Sequence, residues 1–509
     1  MKNFLITVLA FLSVELAGAQ PKYWISFTGK PAAVPGRPYV SEAAVRNRQL
    51  LGLPVCQPTD VPVPAGYLAR LRQVGVQPVH LSKWLNAASA YLDADQLAAV
   101  RGLPFVREVT PIAGELIPAG TPEPEFISTV LTQIGAGEFI ANGLTGKDVK
   151  VGVIDVGFYG LTTNRSLGHL LQEERIKDVK DYITPSRTEH FTENETHSDY
   201  HGAEVLQMLT GYDPDRKMQY GLATGAHFYL ARTDHGIREA RTEEDNWIAA
   251  VERLDSLGVR LVNTSLGYAL GFSNPKENYK PSEMNGRTSK ISRAAQVAVE
   301  EKGMLIVVSA GNEGDDARWR VVSTPADAQG VLSVGATKAK SRDKMSYSSI
   351  GPDFLPYLKP NVACFAPNGT SFAAPVITGF AACLIEKNPS LTNRQLVRII
   401  EQSAHLYPYG NTYVGYGVPD ARKAMALAGD STLTLNNVKE VRTKGNTYAY
   451  AVTQPGTEKG VVFHKKNATV VLRQELLVVD EGKLNIRRES GETRTTLDLG
   501  TEVVEVFWE

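Results

Sequence analysis

Cysteine is scarce in this 509-residue chain: Cys56, Cys364 and Cys383 are too few and too odd in number for a disulfide framework, and no CxxC spacing offers a zinc site. Charge of one sign is missing as well. With 54 Lys+Arg against 55 Asp+Glu the formal charge is -1, so nothing attracts a polyanion at long range, and nucleic acid and acidic membranes are excluded as partners suggested by composition. Past the first twenty residues no stretch reaches the roughly 18 apolar residues a bilayer span needs. Repeats and low-complexity tracts are absent too. What is present, 43% apolar and 21% charged residues, is an ordinary globular composition, which excludes disorder as the main state. At roughly 100 to 200 residues per domain, the length predicts two to four domains.

The first residues address the chain. MKNFLITVLAFLSVELAGAQ has Lys2, an apolar run from Phe4 to Val14 and the small-residue ending Ala17-Gly18-Ala19, which reads as a secretory signal over 1–19. An exported protein, extracellular, periplasmic or at the cell surface, is the expectation. Residues 20–124 follow as a small α+β module: helical runs at Tyr67 to Val74 and Ala94 to Arg101 lie among strand-like segments such as FVREVTPI. Three prolines and one glycine between Ile117 and Glu125 mark a linker, extended and open to proteases.

From 125 to 430 short apolar runs alternate with helical ones. Strands are predicted at 149–154, 227–232, 259–264, 304–309 and 331–335. Between them Trp247, Ile248, Val251, Leu254 and Leu257 share one helical face, and Ile291, Ala294, Ala295 and Ala298 share another. Buried runs alternating with helices predict an α/β, doubly wound, mostly parallel sheet covered on both faces, with chemistry just beyond the carboxyl ends of its strands. Residues 431–509 are a series of short β runs, predicting a small antiparallel, sandwich-like domain. No motif in that tail carries chemistry.

The strand ends hold the candidate site. Asp155 follows VKVGVI, Ser265 follows VRLVNT, and Asn312 follows MLIVVS by way of Ala310-Gly311; His201 and Ser371 each open a helical run. Singly, each has a plain reading as a cap, turn former or structural histidine. Together they are what acyl transfer requires. A serine hydroxyl is a weak nucleophile until an imidazole takes its proton, the imidazole needs a carboxylate to fix its tautomer, and the oxyanion needs donors such as the Asn312 amide and the Ser371 N–H. The order Asp, His, Ser is that of subtilisin, and the GxSxG elbow of α/β-hydrolases is absent.

VGVIDVG (151–157), HGAEVL (201–206), VNTSLGY (262–268), VVSAGNEG (307–314) and NGTSFAAPVITG (368–379) resemble the consecutive signature blocks of the subtilases, the subtilisin-like serine peptidases. The resemblance covers roughly Gly143 to Ala428. It implies a subtilisin-like fold and a serine endopeptidase whose triad is Asp155, His201 and Ser371, with Asn312 as side-chain oxyanion donor. Protein or peptide substrates would pair with Ser265-Leu266-Gly267 as an added strand, with Ala310 and Gly311 lining the pocket. LNAASAYLDADQLAAVRGLPFVREV resembles a subtilase propeptide, implying a self-processed zymogen whose first partner is its own inhibitor. Charge supports the docking modestly: 20–124 carries 10 basic and 7 acidic groups, 125–430 carries 32 and 36. A monomer is expected.

Two departures stand out. The family's HGTH reads HGAE, placing Glu204 where a second histidine is usual, so local repacking is expected. The segment Lys359 to Gly369 is some fifteen residues shorter than in most subtilases, which calls for a short strand and loop on the leaving-group side of the cleft. The competing function is a catalytically silent subtilase-fold surface binding or adhesion protein. No cofactor is required. His197 and His201 have the spacing of a zinc pair without a third ligand, and Asp213-x-Asp215 and Glu313-x-Asp315-Asp316 could bind structural calcium, though they read better as solvated turns; no metal ligand is assigned. Cys364 and Cys383 read as buried free thiols, and Asn194-Glu195-Thr196 as a chance sequon.

Overall fold

The computed structural model describes residues 21–34, 39–112, 124–187, 189, 197–235, 242–270, 278–453 and 456–509. The signal reading of 1–19, most of the predicted linker and the sequon at Asn194 lie outside them.

Four antiparallel strands open the chain: β1 (Lys22–Phe27), β2 (His80–Ser82), β3 (Ala87–Tyr91) and β4 (Val106–Pro111), in the order β2-β3-β1-β4. Helices α1 (Glu42–Leu50), α2 (Ala65–Gln73) and α3 (Ala94–Arg101) accompany them. Side chains alternate between the faces of a strand, and β1 uses both. Ile25 and Phe27 join Leu71, Val76, Ala88 and Val100 in the module's own core, while Trp24 packs against the central domain.

The central sheet has seven parallel strands: β5 (Lys150–Asp155), β6 (Ile176–Asp181), β7 (His227–Arg232), β8 (Leu261–Thr264), β9 (Leu305–Ser309), β10 (Leu332–Thr337) and β11 (Val362–Phe365). Their order is β11-β10-β9-β8-β5-β7-β6, so the chain reverses direction across the sheet beside β5, a switch point that opens a crevice at the carboxyl ends. Helices α4 (His201–Thr210) and α7 (Ala374–Lys387) cover one face with Val151 and Val153 of β5; α5 (Thr242–Ser256) and α6 (Lys290–Glu300) cover the other with Ile154. Gly152 is what lets α5 approach, since a Cβ there would lie 2.7 Å from Leu254. Five strands fall where the sequence predicts them. The other two carry weak signals: β6 (IKDVKD) is a charged edge strand, and β11 has only four residues, the short strand expected before Ser371.

The carboxyl-terminal domain has β12 (Val438–Thr443), β13 (Thr447–Ala451), β14 (Lys459–Lys465), β15 (Val471–Val478), β16 (Lys483–Arg487), β17 (Arg494–Asp498) and β18 (Val503–Trp508). The ribbon β13-β16 packs Tyr450, Leu484 and Ile486 onto Val462, Leu497, Val504 and Val506 of a sheet ordered β12-β18-β17-β14-β15. The antiparallel expectation needs one correction: β12 and β18, the first and last strands of the domain, run parallel, since no hairpin joins them. A second cluster is shared across the boundary, with Ala363, Leu406, Tyr413 and Val414 of the central domain against Val461, Phe463, Val471 and Val503. Gln474 bonds the backbone of Lys344 through both amide atoms, at 3.0 and 3.1 Å.

Candidate active site

Asp155 ends β5 beside the switch point and is fully buried. Its Oδ1 accepts the Val156 N–H at 2.9 Å and faces His201 Nδ1 at 2.6 Å, which fixes the tautomer with Nε2 as the basic nitrogen. His201 is the first residue of α4, seated by Gly202 N–H donating to the Gly157 carbonyl at 2.8 Å. A buried guanidinium ties the same two segments: Arg232 Nε donates to Val156 O at 2.8 Å, and its Nη atoms meet Asp199 at 3.0 Å and Asp181 at 3.4 Å. Burial alone would lower the pKa of His201. The Asp155 charge and hydrogen bond, followed by Glu204, outweigh it and hold the imidazole above its ordinary 6.5.

Ser371 lies in the turn Thr370–Phe372 that leads into α7, 4% exposed. Its Oγ donates to Ser265 O at 3.2 Å, and Ser265 Oγ donates back to Ser371 O at 2.8 Å. The structure therefore brings Ser371 against the end of β8 and sets the ring of the next residue, Phe372, 5.8 Å from that of His201, with the Ser371 hydroxyl turned to Ser265. Asn312 is half-buried. Its Oδ1 accepts Thr370 N at 2.9 Å and Thr370 Oγ1 at 3.0 Å, so the amide is oriented by the residue preceding Ser371 and its NH₂ faces away from those donors.

Ser265, Leu266 and Gly267 continue β8 past its ladder, and among the described residues the peptide groups of Leu266 and Gly267 have no backbone partner. Leu266 and Ala310 bury their side chains completely. Gly267 has no room for more, since a Cβ would sit 2.1 Å from Ser323 Oγ; Gly311, at φ +111°, donates its N–H to Thr370 Oγ1 at 3.1 Å.

Several positioning residues carry no sequence signal of spacing or motif. Arg232 is one. Asp234 is another: buried, bonded by Thr233 Oγ1 and by Tyr268 OH at 2.8 Å, it is pushed up to about 7 by burial and then by the Asp155 charge. Lys344 Nζ donates to three carbonyls of its own loop, Met345, Ser346 and Ser348, at 2.8 to 2.9 Å. That loop presents Tyr347, whose hydroxyl donates to Ala366 O and accepts Gly369 N–H at 3.1 Å, tying down the short segment before Ser371.

Cys364 and Cys383 are buried free thiols that burial pushes far above their ordinary range. The acidic turns weighed for calcium are engaged otherwise: Asp215 pairs with Arg165, and Asp316 with Arg318 at 2.8 Å. Among the described residues no three His, Cys, Asp or Glu side chains gather as metal ligands, and no helix is long and apolar enough to cross a membrane.

A doubly wound parallel sheet carrying a buried Asp–His pair and a helix-opening serine at one edge is the arrangement of a serine endopeptidase, and comparison with known proteins agrees. The model of the subtilase family matches residues 146–418, and that of the Peptidase S8 propeptide domain of Bacteroidota matches 22–122. The chain belongs to the subtilase family. Subtilisin NAT of Bacillus subtilis subsp. natto is 26% identical over 357 residues, spanning 67% of this chain and 81% of its own; subtilisin DY of Bacillus licheniformis is 24% identical over 283, spanning 53% and 89%. Among solved structures, fervidolysin of Fervidobacterium pennivorans, described as a keratinolytic enzyme related to subtilisin, superposes with a TM-score of 0.56 at 16% identity over 94% of this chain and 71% of its own. The epidermin leader peptide processing serine protease of Staphylococcus aureus gives 0.56 at 14% over 80% and 99%. Both likenesses establish the fold.

For His201 acting as general base, its raised pKa predicts a pH profile. The imidazole must be neutral to accept a proton, so kcat/KM on a small peptide should rise as pH climbs through a midpoint above 6.5. Glu204→Gln removes one of the charges that raise it and should move that limb to lower pH with the alkaline plateau unchanged. A limb that stays in place would show that Glu204 does not act on His201.

Proposed function

We propose that the protein is an exported serine endopeptidase made as a self-processing zymogen, with Asp155, His201 and Ser371 as its triad. Ser371 turns from the Ser265 carbonyl to His201 Nε2, gives up its proton there and attacks the substrate carbonyl; Asp155 stabilises the imidazolium through Nδ1–H. The oxyanion is met by the Asn312 NH₂, and the Ser265–Gly267 edge takes the substrate backbone as an added strand. The tetrahedral intermediate collapses with its C–N bond breaking as His201 gives its proton to the departing amine; water, deprotonated in turn by His201, then hydrolyses the acyl-enzyme and the proton returns to Ser371 Oγ. No cofactor takes part. The observation that carries this reading is the 2.6 Å contact between His201 and buried Asp155 at the switch point, one ring away from the serine turn. Residues 20–124 act as the propeptide, 1–19 as the export signal, and cleavage falls between Ile117 and Glu125.

A fluorophosphonate probe tests it. The purified chain should be labelled on the peptide bearing Ser371 and on no other; absence of label on a folded chain would favour the silent binding protein, for which the resting hydroxyl turned to Ser265 speaks. Asn312→Ala should lower kcat by about 10² to 10³-fold with KM little changed, the order known for subtilisin's own oxyanion asparagine. Equal kcat in the variant would remove Asn312 from the oxyanion site.

A further inference from the structure

We propose that residues 41–60, inserted between β1 and α2, are a clamp that keeps the propeptide seated on the enzyme after the connecting chain has been cut. The proposal rests on the zymogen reading and adds what controls release.

The sheet of the module lies on α5 and α6 by a face that is partly polar: Lys22 reaches Asp245 at 2.8 Å, and Glu252 accepts Ser82 Oγ at 2.6 Å. The inserted segment does something else. It covers the carboxyl ends of both helices, where the last carbonyls have no partner within the helix. Ser41 Oγ donates to Ser256 O at 2.5 Å, Asn47 Nδ2 to Gly258 O at 2.8 Å, and Gln57 Nε2 to Glu301 O at 2.6 Å. Two glycines make the approach close. At Gly258 (φ +74°) a Cβ would be 2.8 Å from that of Ala43, and at Gly303 (φ +69°) it would be 2.6 Å from Leu53 and 2.9 Å from Leu51.

Between these caps runs a buried chain of alternating charge contributed equally by the two sides. Asp255 of the enzyme meets Arg48 of the segment at 3.0 Å; Arg48 grips Asp60, also of the segment, through two bonds of 2.7 and 3.0 Å; Asp60 meets Lys302 of the enzyme at 3.1 Å. Arg48 and Asp60 are fully buried, Lys302 and Asp255 nearly so. Burial pushes Asp60 up, yet Arg48 and Lys302 more than offset it and hold its carboxyl below the ordinary range. In the seated module each of these charges is compensated by its neighbours, so removing one member leaves an uncompensated buried charge and loosens the contact far more than breaking an exposed pair would. Its worth shows only after cleavage. While the chain is continuous the module is held at high effective concentration; once cut, only its own contacts retain it.

The test uses the full chain and follows three signals in time: cutting of the chain, the amino-terminal fragment co-eluting with the enzyme on gel filtration, and peptidase activity. For the native sequence the fragment should co-elute and activity should lag behind cutting. Arg48→Met should shorten the lag about ten-fold or more, and Asp255→Leu added to it should restore part of the lag, because it removes the carboxylate left unpaired. Should Arg48→Met fail to fold, Asn47→Ala with Gln57→Ala, which removes two caps and no buried charge, should still shorten the lag several-fold. Fragments that stay bound as long as the native one in both sets would overturn the clamp. Self-processing is judged separately: in Ser371→Ala an added protease cuts within 113–123, and retention of the fragment there reports the clamp whether or not the enzyme cuts itself.

Discussion

Ser371→Ala should lose peptide hydrolysis by about 10⁶-fold, as happens when subtilisin's own nucleophile is removed, and should stay joined between residues 112 and 124. Little else should change. The Oγ makes one neutral hydrogen bond, to Ser265 O at 3.2 Å, so thermal stability should shift by about 1 kcal/mol or less. What survives of the rate comes from Asn312 and substrate alignment, since the His201–Asp155 pair has no proton to take. Two measurements check this: kcat/KM on a peptide with host proteases excluded, and the mass of the purified chain. A variant that still cuts itself in dilute solution, at a rate independent of added native enzyme, would show that another group is the nucleophile.

Gly202→Ala adds a single methyl beside the chemistry, and its expected effect is the next largest. A Cβ at 202 would lie 2.3 Å from the Gly157 carbonyl and 2.8 Å from the Phe158 ring, both rigidly held after β5. The helix must move. Because His201 starts α4 and Asp155 ends β5, any separation of the two segments is taken up by the 2.6 Å contact between them. Loss of that carboxylate–imidazole contact costs triads about 10⁴ in kcat, so a fall of about 10³ to 10⁴ is expected, with overpacking destabilising by about 1 to 3 kcal/mol. His201→Ala provides the ceiling: it should lose about 10⁶-fold, as removal of the nucleophile does, while keeping Gly202 and its close approach. If Gly202→Ala retains full kcat, the helix start is not what sets the Asp–His geometry.

The parts of the site that could be read from sequence are those where one residue type has few substitutes: a carboxylate ending an apolar strand, a histidine before a glycine, a serine after Asn-Gly-Thr. Each announces itself by position as well as type. Arg232 and Lys344 do not. A basic residue at the end of HFYLAR or after SRD looks like solvent-facing charge, and only the fold shows Arg232 binding the two segments of the Asp–His pair and Lys344 gathering three carbonyls. The strands divide the same way. Buried β5 and β9 have apolar middles (VGVI and LIVV), whereas four of the six residues of β6 are charged, as suits an edge strand. Opposite net charges hinted at docking between module and enzyme, but sums say nothing of where charges sit, and the decisive pairs are a few buried ones on helix ends. The short segment before Ser371 could be recognised as short; that Tyr347 reaches across to hold Gly369 could not, because the two are far apart in sequence.

The shared apolar cluster at the back of the sheet bears on how this enzyme can be divided. Val461, Phe463, Val471 and Val503 supply one wall of a core whose other wall includes Ala363 of β11, and β11 leads within a few residues to Ser371. The nearby Gln474 holds the loop that Lys344 gathers and from which Tyr347 reaches Gly369. A chain ended after Asp430 would thus be a catalytic domain with one side of its edge strand stripped bare, and the tail that carries no chemistry is structurally a buttress rather than an appendage.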